Sequence, residues 1–286
     1  MKAYYLLLAG TALTLSACGN SNNASNSTAS ATASTTASAP ANAAASDQTD
    51  LYKRLTSGGT ITVGTEGTYP PFTYHDESGK LTGYDVEVTR AVAAKLGVQV
   101  DFKETQWDAM LAGLDAKRFD AVANQVSLTT PERQAKYDKS FAYSWSGPVL
   151  VAPVKVTDLA NWESIKGKKS AQSLSSNYAE MATKYGAEII GVEGLAQAVE
   201  LVRTGRADVT LNDHLAVLDY LKKNQNSGLE IKLTAPATEK TGSGIIFRKG
   251  EDATNAKVSE AIEALQKDGT LAKLSNQFFG QDISKQ

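Results

Sequence analysis

Cysteine and histidine are nearly missing from this chain of 286 residues: Cys18, His75 and His214 are the full set. No disulfide can close within it, and a structural zinc site, which takes about four such ligands, has no supply of them. A strong charge of either sign is missing as well. With 29 Lys and Arg against 31 Asp and Glu the formal charge is −2, so nothing electrostatic draws the chain to nucleic acid. There is no Gly-x-Ser-x-Gly elbow and no cysteine nucleophile in the body of the chain. The apolar run from Ala3 to Leu15 is too short and too lightly flanked for a membrane-spanning helix. What is present is the composition of a soluble globular protein, 42% hydrophobic and 21% charged. The length suits two domains, or one with two lobes. Neither a metal nor a cofactor is implied.

The first fifty residues stand apart. MKAYYLLLAGTALTLSACGN has Lys2, an apolar run, and then Ser16 and Ala17 before Cys18, which are the parts of an export signal. LSAC resembles a bacterial lipobox. That resemblance implies a signal peptide at residues 1–17, cleavage before Cys18, and lipidation of its thiol and new amino group. From Gly19 to Ser46 the chain is almost all Ser, Thr, Ala and Asn. It has no apolar face whose burial could offset the entropy of ordering, so residues 18–50 read as a tether. Anchor, tether and folded body place the protein in the cell envelope, facing the periplasm or the exterior.

From Leu51 onward strands and helices alternate. TITVGT (Thr60 to Thr65) reads as a strand, and YDVEVTRAVAAKLG as a helix stopped by Gly97. VQVDFKE is the next strand. Trp107, Met110, Leu111 and Leu114 then mark one helical stripe, and FDAVANQV (Phe119 to Val126) reads as a buried strand. This order implies a parallel sheet with helices on both faces. The scheme restarts with KKSAQS, SNYAEMATKYG, AEIIGV, GLAQAVELVRTG, ADVTLN, DHLAVLDYLKKN and LEIKLT. Two copies predict two lobes, residues 51–145 with 243–286 and residues 146–242. The segments at 141–153 and 241–250 read as extended crossings that form a hinge. Amphipathic helices near 252–267 and 269–279 return to the first lobe.

Ligands of open α/β sheets bind beyond the carboxyl ends of the strands, and two facing sheets put both sets of ends into one cleft. SLTTPER (Ser127 to Arg133) lies at such an end. Arg133 is a fork of donors suited to a carboxylate, and Ser127, Thr129 and Thr130 could complete an anion cradle. Arg133 could equally be a surface residue paired with Glu132. Asp213, after the buried-looking VTLN, offers a carboxylate to a buried ammonium or an N-cap to the helix that follows. Both roles can hold, since a carboxylate has two oxygens.

GTEGTYPPF, GYDVEV, FDAV with the Ser, Thr and Glu-Arg that follow it, GRADVTLND and LQKDGTLAKLSNQFF occur in this order. Together they resemble the solute-binding proteins of ABC importers for polar amino acids, family 3 of that class. Each piece alone is weak; the ordered set, spanning nearly all of Leu51 to Phe279, is specific. The resemblance implies an α/β fold of the two-lobed, type II periplasmic-binding-protein kind, with two parallel-core sheets. Such a clamp closes on an amino acid, has no catalytic step, needs no cofactor, acts as a monomer and delivers to an ABC permease of the inner membrane. It implies Arg133 for the ligand carboxylate and Asp213 for the ammonium. Tyr69 and Trp107 match an aromatic clamp, although both also fit core packing. Glu66 matches a position at the far end of the ligand, where a carboxylate favours a positive group; otherwise it is an exposed turn residue. Ser176, Asn177 and Tyr178 match the second lobe's helix start, where backbone donors favour an anion. The family's spacing from hydroxyl to Arg is one residue shorter than Ser127 to Arg133, which leaves the hydroxyl open between Thr129 and Thr130. NQVS, including Gln125, with SSNY and Trp107 is most similar to the cystine-binding branch. Cystine has two zwitterionic heads, one for Arg133 and Asp213 and a second whose amine would meet Glu66. The alternatives are another polar or cationic amino acid, or a periplasmic enzyme on the same fold with Glu66 as its acid. A second role in adhesion or sensing stays open.

Overall fold

In a computed structural model of the chain, residues 49–286 are described. The export signal, Cys18 and the tether as far as residue 48 lie outside the described residues. The body opens just ahead of Leu51. Thr49 caps helix α1 (Asp50–Thr56), its hydroxyl accepting from the Tyr52 amide at 3.2 Å.

The chain then runs through β1 (Thr60–Thr65), a small antiparallel meander of β2 (Thr68–Tyr69), β3 (Thr73–His75) and β4 (Leu81–Thr82), and α2 (Tyr84–Leu96). Next come β5 (Gln99–Glu104), α3 (Trp107–Asp115), β6 (Ala121–Val122), α4 (Pro131–Lys136) and β7 (Tyr137–Lys139). β8 (Ser144–Ser146) leads into β9 (Pro148–Pro153), β10 (Lys169–Gln172), α5 (Asn177–Lys184), β11 (Glu188–Gly191) and α6 (Leu195–Arg203). β12 (Thr210–Asp213), α7 (His214–Lys223) and β13 (Leu229–Thr234) follow. β14 (Thr241–Ser243) returns to β15 (Ile246–Arg248), α8 (Asp252–Lys267) and α9 (Thr270–Phe279).

One sheet has the order β5-β1-β6-β15-β7, with β5, β1 and β6 parallel and β15 antiparallel to both neighbours. The other repeats the scheme. β11 pairs in parallel with β10, a parallel bridge from Ser170 to Val209 leads toward β12, and β9 lies antiparallel between β12 and β13. The two-lobed α/β fold is therefore one winding used twice. The crossings do more than connect. Their outer parts, β9 and β15, are the antiparallel members of the two sheets. Their inner parts, β8 and β14, pair with each other from Ser146 opposite Thr241 to Ser144 opposite Ser243, which makes the two-stranded hinge.

FDAVANQV is a strand only at Ala121 and Val122, which pair with Val63 and Gly64. The ladder ends because Gln125 turns into the left-handed region, φ 50°, and donates its amide to the Asp85 carboxylate. SLTTPER is not wholly loop either. Thr130 is the N-cap of α4 and accepts from the Arg133 amide at 3.3 Å, with Pro131 in the first turn, where its missing N–H does no harm.

Fully buried Val88, Ile262 and Leu271 from α2, α8 and α9 pack in one core with Val63 of β1. The ring of Phe119 is wedged between β1 and α3. A Cβ on Gly64 would come within 2.6 Å of it, and one on Gly113 within 2.7 Å. The two glycines let α3 sit close, and that brings Trp107, at the start of α3, beside the strand ends. Leu150, Ile165, Val209 and Leu211 form the core of the second lobe. Among the described residues no helix is long and apolar enough to cross a membrane.

Candidate functional site

Residues at the carboxyl ends of parallel strands from both sheets converge on one narrow cavity of about 50 Å³. Glu66 follows β1, Asn124 and Gln125 follow β6, Trp107 opens α3 and Tyr69 comes from β2. From the second lobe come Gln172 at the end of β10 and Ser173 after it, Ser176, Asn177 and Tyr178 at the start of α5, Gly194 and Leu195 at the start of α6, and Asn212 of β12. The cavity thus brings together Glu66, Tyr69, Trp107, Gln125, Ser176, Asn177 and Tyr178 of the residues singled out by sequence.

Arg133, 4% exposed, stands one layer back. Its guanidinium lies 5.3 Å from the centre of the Trp107 ring and donates to the carbonyls of Ser127 at 3.3 Å and Ser175 at 2.9 Å. It is not a surface partner of Glu132, whose carboxylate takes Lys136 instead at 2.8 Å. Ser127 is buried beside it. Thr129 and Thr130 line an adjoining groove with Gly147, Pro148 and Glu239, one that shares Asn177 and Tyr178 with the cavity. The helix that begins at Pro131 uses the Thr130 hydroxyl as its cap. Asp213 is buried behind Asn212. Its Oδ1 caps α7, accepting from the amides of Leu215 at 2.8 Å and Ala216 at 3.2 Å.

Among the described residues no cation pairs with the carboxylates of Glu66, Asp85 or Asp213. Asn124 donates to Glu66 Oε2 at 2.6 Å, and its own Oδ1 accepts the Glu66 amide at 2.8 Å, so Glu66 is no free turn residue. Burial pushes the Glu66 carboxyl up to about 7, against the Asn124 hydrogen bond and with help from the nearby Asp108 charge. Burial likewise pushes Asp213 up to about 6 and Asp85 up to about 7. A site in which carboxyls are raised in this way is short of positive charge and complementary to an ammonium. Burial also holds the Tyr69 and Tyr178 phenols well above their ordinary value, so both stay neutral donors.

Side chains of the first lobe reach the second in several places. Tyr69 donates its hydroxyl to Asn212 Oδ1 at 2.6 Å. Arg133 reaches the Ser175 carbonyl from one side. From the other, the Asp108 carboxylate accepts the Ser175 amide at 2.8 Å, the Ser175 hydroxyl at 2.7 Å and the Leu174 amide at 3.1 Å. These bonds hold the lobes closed over the cavity. Sequence reasoning missed Asn124, Asn212 and Gly194 as wall residues, and Asp85 and Asp108 as supports. The usable signal was an Asn at the carboxyl end of an apolar run, as in VAN and TLN.

A closed cavity between two like lobes on a two-stranded hinge defines a ligand clamp of the two-lobed binding-protein class. The chain belongs to the bacterial extracellular solute-binding proteins, family 3, whose model matches residues 61–281. It is 50% identical over 237 residues to the L-cystine-binding protein TcyA of Bacillus subtilis, covering 82% of this chain and 87% of that one. The L-cystine solute receptor of Neisseria gonorrhoeae, solved unliganded and open, is 63% identical, covers 83% of this chain and 100% of that one, and superposes with a TM-score of 0.58. An ancestral arginine-binding protein bound to arginine is 32% identical, covers 78% and 99%, and gives 0.71. The more distant, ligand-bound structure superposes better than the nearer, open one. That is the pattern of lobes closed here and apart there.

Proposed function

We propose that the chain captures an extended polar amino acid outside the membrane, cystine above all, and delivers it to an ABC importer. What carries this reading is that the cavity does not end at Glu66 but continues past it into a second, outer chamber of about 360 Å³, which suits a long ligand. Arg133, with Ser127, takes one carboxylate, and Asp213 takes the neighbouring ammonium. Tyr69 and Trp107 offer flat faces to the stem. Gln125, Ser176, Asn177 and Tyr178 supply polar contacts, and Glu66 takes the second amine. Relatives named for L-cystine at 50% and 63% identity support the choice of ligand. Closure turns on β8 and β14, where the proposed lobe boundaries fall, since two paired crossings can absorb a rotation without unfolding either lobe. The lipobox-like LSAC supports an anchor at Cys18 and a tether from there to the body. The test is uptake of labelled cystine by cells. Deleting the gene should abolish uptake at low concentration, and Cys18→Ala should release the protein or leave it unprocessed. Uptake unchanged by deletion would refute the reading.

A further inference from the structure

Resting on that reading of Asp213 as the partner of the ligand's ammonium, we infer that Asp85, which lines neither chamber, is a positioning residue for every amino acid the clamp holds. Its carboxylate fixes the turn at Gln125, and that turn ties the Asp213 end of the site to the hinge strand β8.

Asp85 is fully buried in the first turn of α2. The start of that helix is docked on the chain that follows Tyr69. The amides of Tyr84 and Asp85 donate to the carbonyls of Pro71 at 2.9 Å and Phe72 at 3.0 Å. Gly83 permits this approach, since a Cβ there would clash with the Phe72 carbonyl. A carboxylate in the first turn of a helix ordinarily serves that helix. Here Oδ2 accepts the amide of Gln125, 40 residues further on. Oδ1 has no hydrogen-bond partner among the described residues, and neither has the buried Tyr143 hydroxyl beside it.

Gln125 needs the support. It carries a Cβ and is held at φ 50°, a conformation that persists only where the surroundings over-determine it. From that turn its side chain serves two neighbours. Oε1 accepts from the Ser144 hydroxyl at 2.7 Å, on the hinge strand β8. Toward the second lobe, burial raises the Asp213 carboxyl, and Ser146, the first amides of α7 and the Gln125 side chain oppose that rise. Gln125 also lines the cavity. One side chain therefore faces the ligand, the hinge and the carboxylate assigned to the ammonium. The hinge is tied down from the same helix start, because Tyr84 donates its hydroxyl to the Tyr143 carbonyl at 2.7 Å, just ahead of β8. The counter-influence is the backbone on either side of Gln125. The Ala123 amide donates to Gly64 at 3.0 Å, and the Val126 carbonyl accepts from Gly244 at 3.1 Å. If those two bonds fix the turn alone, Asp85 is dispensable for binding.

The experiment is calorimetric titration of wild type, Asp85→Ala, Asp85→Asn, Gln125→Gly and the double variant Asp85→Ala/Gln125→Gly, each with cystine and with alanine. Melting curves first show which chains fold. Asp85→Ala should weaken both ligands by the same factor, about tenfold, as loss of a hydrogen bond to a charged group does. Asp85→Asn keeps an acceptor for the Gln125 amide and should bind within about threefold of wild type; a carboxylate that served only the helix dipole could not be replaced by a neutral amide. Glycine adopts the turn without help, so in the Gln125→Gly background Asp85→Ala should cost less than about twofold. No loss in Asp85→Ala, a loss that persists in the Gln125→Gly background, or an Asp85→Asn variant as weak as Asp85→Ala would each overturn the inference. Should Asp85→Ala fail to fold, the double variant decides. If it matches Gln125→Gly in melting curve and affinity, the inference holds; if it too fails to fold, Asp85 serves the core and the inference falls. If wild type binds alanine and not cystine, the choice of ligand is wrong, and the alanine titrations decide the role of Asp85. If wild type binds neither, the reading of Arg133 and Asp213 falls, and the role of Asp85 with it.

Discussion

Asp108 holds the closed lobes together without lining the cavity. It sits in the first turn of α3, and its carboxylate accepts three hydrogen bonds from Leu174 and Ser175 of the opposite lobe, at 2.7–3.1 Å. All three break when the lobes part. Buried bonds to a charged acceptor contribute about 1.5–3 kcal/mol each, but Asp108 and Ser175 are exposed, so the surface range of about 0.2–1 kcal/mol applies. Together they favour closure by roughly 1–2 kcal/mol, a factor of about five to thirty. Asp108→Ala should therefore weaken every ligand by that same factor. The loss should appear in the dissociation rate, because the latch forms after encounter. Stopped-flow fluorescence suits the question, since Trp107 is in the cavity wall. Two chemically different ligands should show the same increase in dissociation rate. Factors that differ several-fold between them, or a change confined to association, would show that Asp108 acts on the ligand and not on closure.

Arg133→Ala should cost about 2–5 kcal/mol of binding, as truncating one member of a buried charge pair does, or roughly thirty- to several-thousand-fold by calorimetry. Arg133→Lys should recover only part, because an ammonium is a point charge without the fork; an alanine variant within threefold of wild type would place the carboxylate elsewhere. Glu66, raised to about 7, loses its charge as pH falls through that value, so affinity for a ligand with a distal amine should fall first, by up to about tenfold per pH unit, and that for alanine only lower, as Asp213, raised to about 6, is protonated. The stability sign is the opposite. A folded-state carboxyl pKa raised from 4.5 to about 7 means that the unfolded chain releases this proton first, so stability falls as pH rises through that window. Glu66→Gln should flatten part of that slope in melting curves, and an unchanged slope would remove Glu66 as its source. Gly64→Ala drives a Cβ to 2.6 Å from the Phe119 ring and should lower stability by about 1–3 kcal/mol; an unchanged melting temperature would mean the ring can yield.

Much of the fold was legible because the local signals agreed with the final packing. β1, β5 and the strands of the second lobe have the expected pattern, and Gly97 ends α2 in the left-handed region at φ 70°. What was not legible depends on distant partners. β9 and β15 look like linkers until the sheets they complete are known. FDAVANQV breaks at Gln125 because of Asp85, 40 residues away in the chain. Tyr69, Trp107 and Glu66 were found through the motif that contains them. Asn124 and Asn212 were missed because an amide at the end of an apolar run reads equally as a turn. The Thr-Pro-Glu run at Thr130 was a readable helix start, and it commits the Thr130 hydroxyl to the cap of α4. Asp108 had no signal of its own, since its partner Ser175 lies 67 residues further on.

Titration calorimetry of the chain with cystine, beside alanine, tests the central claim most directly. Saturable binding of one cystine per chain, at least about tenfold tighter than alanine, is the expected result. Absence of cystine binding, or equal affinity for the two, would contradict the account.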